Sequence, residues 1–178
     1  MLNPSYELRT TVRPLDPGFT FGPLASMSDR VLTSGADQVQ LHRVFIELPA
    51  GFDVLRVEAR AEGYRHIERL ADEWIAGTMR FDREDEALMA ATLTPQLAGI
   101  GGLTIDPFQP GALRMRRFYV RAAFRRNGIG RAVAENLLAR AREFGRTVTV
   151  NAGAGSEPFW RSLGFVAEAR NGHTHVFE

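Results

Sequence analysis

A mixed α/β sheet with helices covering its faces is the fold class this sequence predicts, on three observations. Short β-branched and apolar segments alternate with stretches whose apolar residues recur at helical spacing. Two neighbouring strand-like runs, Glu86 to Leu93 and Leu97 to Ile105, are joined by Thr94-Pro95-Gln96, a hairpin by its length. The segment from Ile129 to Phe144 carries one apolar stripe opposite its arginines. At 178 residues and 44% hydrophobic content the chain suits a single domain with a real core.

Taken in order, residues 1–50 hold Pro4, Pro14, Pro17, Pro23 and Pro49, and only Gln40 to Leu48 has the density of a strand. This reads as an extension that lays one or two strands or an arm against a domain spanning 51–178. Val54 to Ala59 reads as a strand. Tyr64, Ile67, Leu70, Ala71, Trp74 and Ile75 then recur at helical spacing. After the hairpin, Leu113 to Val120 is a further strand. Ile129, Val133, Leu137, Ala141 and Phe144 form an amphipathic helix ending near Gly145. Thr147 to Asn151 is a short strand, and Glu157 to Leu163 a short helix stopped by Gly164. Phe165 to Ala169 and Thr174 to Phe177 close the chain as a strand pair around Asn171-Gly172.

Composition removes several chemistries. All 22 basic residues are arginine, so no lysine is present to form a Schiff base or to complete a P-loop. The chain has no cysteine, hence no disulfide, thiolate ligand or cysteine nucleophile. Net charge is +1, which suggests neither a nucleic-acid coat nor a disordered tail. Met1 to Glu7 lacks a signal-peptide pattern, and the longest apolar run, Leu97 to Ile105, falls far short of the ~20 residues of a membrane span. The expectation is a cytoplasmic protein with no membrane partner.

The most informative segment runs from Val120 to Arg131. It joins a strand to the start of the amphipathic helix, where unpaired backbone N–H groups and the helix dipole favour an anion. Gly128 and Gly130 let phosphate oxygens approach without a Cβ in the way. Seven arginines lie between Arg114 and Arg131, and no acidic residue occurs between Asp106 and Glu135. A P-loop is excluded by the missing lysine. A dinucleotide site would want glycine where Val133 stands and an acid where Asn151 stands.

The segment Arg125-x-x-Gly128-x-Gly130, preceded by Phe118-Tyr119-Val120, resembles the signature of the GNAT family of N-acetyltransferases. Glu157-Pro158-Phe159-Trp160-Arg161-Ser162-Leu163-Gly164-Phe165 resembles the family's later motif, at the expected distance and after the expected strand. The resemblance covers residues 52–178. It implies a GNAT-like acyl-CoA N-acyltransferase fold, with a mixed, mostly antiparallel central sheet and helices on both faces.

The resemblance also implies function: acetyl transfer from acetyl-CoA, as acyl-donor substrate, to a primary amine of a small molecule or protein. The main chain of Phe118, Tyr119 and Val120 would pair with the pantetheine arm, and the Phe118 N–H would face the thioester carbonyl. Arg125, Arg126, Gly128, Ile129, Gly130 and Arg131 would surround the pyrophosphate, and Asn151 and Phe159 would border the arm. Trp160 stands where many members carry a tyrosine acid, which leaves Ser156, Tyr119 or a water for that role. Arg116 stands where many carry a carboxylate base, which leaves Glu58, Glu86 and Glu157. His42 and His66 read as isolated, and His173 and His175, on one face of the last strand, lack a third ligand, so no metal is expected.

Two other readings stay open. A noncatalytic acyl-CoA sensor on the same fold would explain Trp160 and Arg116. A nucleic-acid surface built from Arg114 to Arg131 would explain the charge but not the glycine spacing, so no nucleic-acid partner is expected. The acceptor pocket is expected between Arg65 to Asp85 and Ala169 to His175. Capping this pocket and mediating a homodimer are the two roles left open for the extension.

Overall fold

The structure, a computed structural model, describes residues 39–178. The expectations placed on residues 1–38 lie outside the described residues. Twelve elements follow in order: β1 (Val39–Val44), α1 (Phe52–Ala61), α2 (His66–Ala76), β2 (Ala87–Leu93), β3 (Gln96–Ile105), β4 (Leu113–Val120), a short 3₁₀ turn (Ala122–Phe124), α3 (Ile129–Glu143), β5 (Val148–Val150), α4 (Glu157–Ser162), β6 (Val166–Arg170) and β7 (His173–Phe177).

The seven strands form one sheet in the order β1-β2-β3-β4-β5-β7-β6. Every pairing is antiparallel except that of β4 with β5. The sheet is therefore mixed and mostly antiparallel, as the resemblance implied. β1, the strand expected in the extension, lies at one edge and pairs with β2 from Val39↔Leu93 to Val44↔Leu88.

Both faces of the sheet are covered, and the alternation along β2 shows how. Ala87, Met89 and Ala91 join the core under α3, with Val133, Leu137, Leu138 and Ala141. Leu88 and Ala90 face the other way, onto Phe52, Leu55, Ile67, Leu70 and Trp74 of α1 and α2. Burial on both faces is what makes β2 and β3 read as nearly continuous apolar runs.

One expected element is corrected. Val54 to Ala59 is not a strand but lies within α1. The buried residues are Phe52, Leu55 and Ala59, three and four apart on one helical face. Val54 and Val57, whose branching suggested a strand, are exposed at 50% and 55%. The apolar period of Phe52, Leu55 and Ala59 outweighs β-branching here, because tertiary packing overrides a weak propensity.

The closing hairpin forms at the expected turn. Asn171 and Gly172 both have positive φ, 49° and 74°, the conformation of a two-residue turn that matches strand twist. Among the described residues, no helix is long and apolar enough to cross a membrane.

Candidate functional site

The site begins where β4 and β5 part. Their pairing covers only Leu113↔Val148, Arg114↔Thr149 and Met115↔Val150, whereas β4 continues to Val120. From Arg116 onward β4 has no β5 partner, and one edge of the strand opens into a cleft of about 880 Å³. A bulge accompanies the parting. Between the pairs Gly102↔Arg116 and Ile100↔Tyr119, two residues of β4 oppose one of β3, and Arg117 takes a φ of 56°. The bulge turns the strand so that Phe118 and Val120 pack with the α3 core, while Arg117 and Tyr119 face α2 and α1. Gly101 makes room for this, since a Cβ there would lie 2.5 Å from the Phe118 ring and 2.9 Å from Val133.

The cleft brings together the residues singled out in the sequence. Phe118, Tyr119, Val120, Arg125, Arg126, Gly128, Ile129, Gly130, Arg131, Asn151 and Phe159 all border it, as do Ser156 and Trp160. Glu58 does not. It lies on α1, where both its oxygens accept hydrogen bonds from Arg121, at 2.7 and 3.0 Å. Those bonds hold its carboxyl below the usual carboxylate range.

The amino end of α3 forms one wall. Gly128, at φ 73°, precedes the helix, and no side chain of the described residues caps it. Helical bonding begins only with the Ala132 N–H donating to the Gly128 carbonyl, and the first turn contains no acidic residue. Free amide donors and the positive end of the dipole thus meet the cleft together. A Cβ on Gly128 would meet no other atom within 4 Å, so its glycine serves the left-handed backbone rather than packing.

Electrostatics give the cleft a single sign. Among the described residues its lining includes Arg69, Arg114, Arg116, Arg117, Arg125, Arg126 and Arg131 but neither aspartate nor glutamate. Four of these arginines are anchored by acids behind the wall. Arg114 pairs with buried Asp106 at 3.1 Å, Arg117 with Glu73 at 2.6 Å, Arg125 with Glu62 at 2.7 Å and Arg131 with Glu135 at 3.2 Å. Arg125, the first residue of the signature, also donates to the Val120 carbonyl at 3.0 Å, so it ties the end of β4 to the α1–α2 loop.

Tyr119 donates its hydroxyl hydrogen to Glu62 at 2.6 Å. Burial and that bond push the phenol well above its ordinary pKa, while the same bond, with help from Arg125, keeps Glu62 below its own. Ser156 donates to the Gly153 carbonyl at 2.8 Å. Trp160 is buried in an aromatic cluster, its ring 5.2 Å from Phe118, 4.9 Å from Phe159 and 5.4 Å from Phe165.

His66 is the group that sequence reasoning missed. Half-buried at the start of α2, it borders the cleft, and its Nε2 lies 3.0 Å from the Phe118 carbonyl oxygen. A carbonyl only accepts, so Nε2 carries the hydrogen and the neutral ring keeps its lone pair on Nδ1. Burial first, and then the charges of Arg117 and Arg69, lower the imidazole pKa despite the carbonyl bond. The signal was absent locally, because its partner lies 52 residues away. His173 and His175 are buried on β7, near Glu168 of β6 and Glu157 of α4, outside the cleft lining.

The fold has known counterparts. The family model of the GNAT acetyltransferase domain matches residues 53–175. The chain belongs to the GNAT acetyltransferase family. A GNAT fold of this kind is also found in a protein from Exiguobacterium sp. 255-15 assigned as an acetyltransferase, 25% identical, with a TM-score of 0.72 over 79% of this chain and 93% of that one. A GNAT-family protein from Desulfovibrio desulfuricans is 19% identical, with a TM-score of 0.60 over 79% and 98% of the two chains. Escherichia coli YhbS, solved in complex with CoA, is 16% identical, with a TM-score of 0.57 over 82% and 83%. No curated protein matches the chain.

Proposed function

We propose that this GNAT protein binds acetyl-CoA in the cleft beside β4 and transfers its acetyl group to a primary amine. The observation that carries the reading is the meeting, in one cleft, of an unpaired strand edge and an uncapped helix amino end. The first suits the amides of a pantetheine arm, which can add to the sheet edge as a strand would. The second suits a pyrophosphate, with Gly128, Ile129, Gly130 and Arg131 supplying backbone donors and Arg125 and Arg126 supplying charge. Asn151 and Phe159 border the arm from the β5 side. The CoA complex of the fold neighbour YhbS agrees with a cleft of this use.

In this reading the residues divide the work. The Phe118 N–H stabilises negative charge that develops on the thioester oxygen. A positive cleft without carboxylates disfavours a bound ammonium and so favours the neutral, nucleophilic amine. As the carbon–nitrogen bond forms and the carbon–sulfur bond breaks, the amine loses a proton, for which Nδ1 of His66 is the acceptor. The leaving thiolate, with a conjugate-acid pKa near ~8.5, needs little acid assistance. That fits a site in which Trp160 replaces tyrosine and Tyr119 is committed to Glu62.

The same two features favour a second reading, a noncatalytic acyl-CoA sensor. Thiol release across a panel of amines separates the two: release supports the transferase, and cofactor binding without release supports the sensor.

A further inference from the structure

Of the seven arginines bordering the cleft, four have carboxylate partners, and three do not among the described residues: Arg69, Arg116 and Arg126. Arg126 lies in the loop before α3, where the phosphates of the acyl donor would meet it. Arg69 and Arg116 lie elsewhere, on α2 and at the first splayed position of β4.

Arg116 is the more telling of the pair. It is half-buried, and burial first, then the neighbouring charge of Arg117, lowers its pKa. Such a guanidinium is partly dehydrated and, among the described residues, has no carboxylate within salt-bridge distance, since Glu73 and Asp106 act on it only from farther away while pairing with Arg117 and Arg114. An anion reaching it gains a charge-assisted, two-pronged partner. It also forms part of the wall of a second cavity of about 300 Å³, beside Arg80, Arg83 and Thr104. Asp82 and Glu86 line that second cavity, whereas the cleft side has no acid. A simple monoamine or polyamine entering the cleft would meet, among the charged side chains of the described residues, only like charge.

We propose that the acceptor is a primary amine that also carries a carboxylate or phosphate, and that Arg116, assisted by Arg69, holds this anionic group beside β4. The proposal rests on the acetyl-transfer reading. It explains why a cleft meant for an amine has no carboxylate: the anion on the substrate supplies the attraction, and the surrounding arginines keep the amine neutral.

Matched acceptors test it. An α-amino acid is compared with its amide, and an amino-sugar phosphate with the unphosphorylated amino sugar, by thiol release at saturating acetyl-CoA. Calorimetric titration with acetyl-CoA alone is run beside them. The expected result is a preference for the anionic member of one pair of about tenfold or more in kcat/KM, and the pair that shows it tells carboxylate from phosphate. Arg116→Gln should raise KM for that acceptor by about tenfold and erase the preference, Arg116→Lys should recover part of it, and acetyl-CoA affinity should hold in both. Equal use of charged and neutral members overturns the proposal, as does a preference that survives Arg116→Gln. So does acetyl-CoA binding with no turnover of any acceptor, whereas absent acetyl-CoA binding defeats the acetyl-transfer reading itself.

Discussion

The imidazole of His66 is tied to the backbone of the residue on which the proposed chemistry turns. Its Nε2 donates to the Phe118 carbonyl, so its free lone pair is on Nδ1 and its ring cannot swing away without losing that bond. Because burial and two arginines lower its pKa, it stays neutral through the physiological range. Turnover should therefore be level at neutral pH and fall as pH drops through a value below the ordinary ~6.5 of imidazole. His66→Gln, which preserves a donor toward Phe118, should cost ~10²-fold in kcat and remove that acid limb while leaving acetyl-CoA binding in place. An unchanged pH profile in this variant would end the role. Tyr119→Phe makes the opposite prediction. With its phenol bound to Glu62 and its pKa raised, Tyr119 supplies no proton, so the variant should keep its turnover and lose about 1 kcal/mol of stability in denaturant melts. A collapse of kcat would make it the acid after all. These residues differ in how well the sequence announced them. Gly128, Gly130 and Phe159 sit in contiguous motifs and could be picked out directly. His66 and the Tyr119–Glu62 bond arise from contacts across 52 and 57 residues, which no local pattern records.

β4 was legible from end to end, since its apolar and bulky residues fill both faces of the sheet. What the sequence hid was the bulge at Arg117, because a bulge exists only relative to a partner strand. α1 was hidden for another reason: its two exposed valines imitate a strand while its three buried residues carry the helical period. Once α1 is a helix, Glu58 turns toward Arg121 and braces the end of β4 rather than lining the cleft. The bulge depends on close contact between β3 and the Phe118 ring. Gly101→Ala should push that ring toward the cleft, lower stability by about 1–3 kcal/mol and weaken acetyl-CoA binding in the same protein. Wild-type affinity together with wild-type stability would show that the contact has no such role. At the other wall, Gly130→Leu should spare the fold, because a Cβ there reaches Phe159 and Val120 only at 3.5 Å, yet reduce acetyl-CoA affinity about tenfold or more by filling the space at the helix end.

Among the described residues the sheet separates two cores, one under α3 and one under α1 and α2, and the cleft opens where β4 leaves β5. The junction below it is clamped by buried Asp106. This carboxylate takes hydrogen bonds from Thr149 at 2.5 Å, from Arg114 at 3.1 Å and from the Phe108 N–H at 2.8 Å. Burial opposes its charge, yet these bonds and the Arg114 charge hold its pKa below the ordinary value. Its stabilisation is therefore complete above the unfolded value of ~3.9 and vanishes as pH falls through the lower folded one. Asp106→Asn should lose about 3–5 kcal/mol at pH 7, since Arg114 is left buried and unpaired, and should show a flatter acid limb in its stability curve. The fold class and the position of the cleft were readable because strand order and two motifs fixed them; the clamp was not, since Asp106, Arg114 and Thr149 meet only in the folded sheet. The central claim is that this cleft holds an acyl-CoA, and calorimetric titration with acetyl-CoA, beside NADH and ATP, tests it most directly. Saturable binding of acetyl-CoA alone, weakened about tenfold or more in Gly130→Leu, is the predicted result. No heat of binding at millimolar acetyl-CoA, or equal binding of ATP, would contradict it.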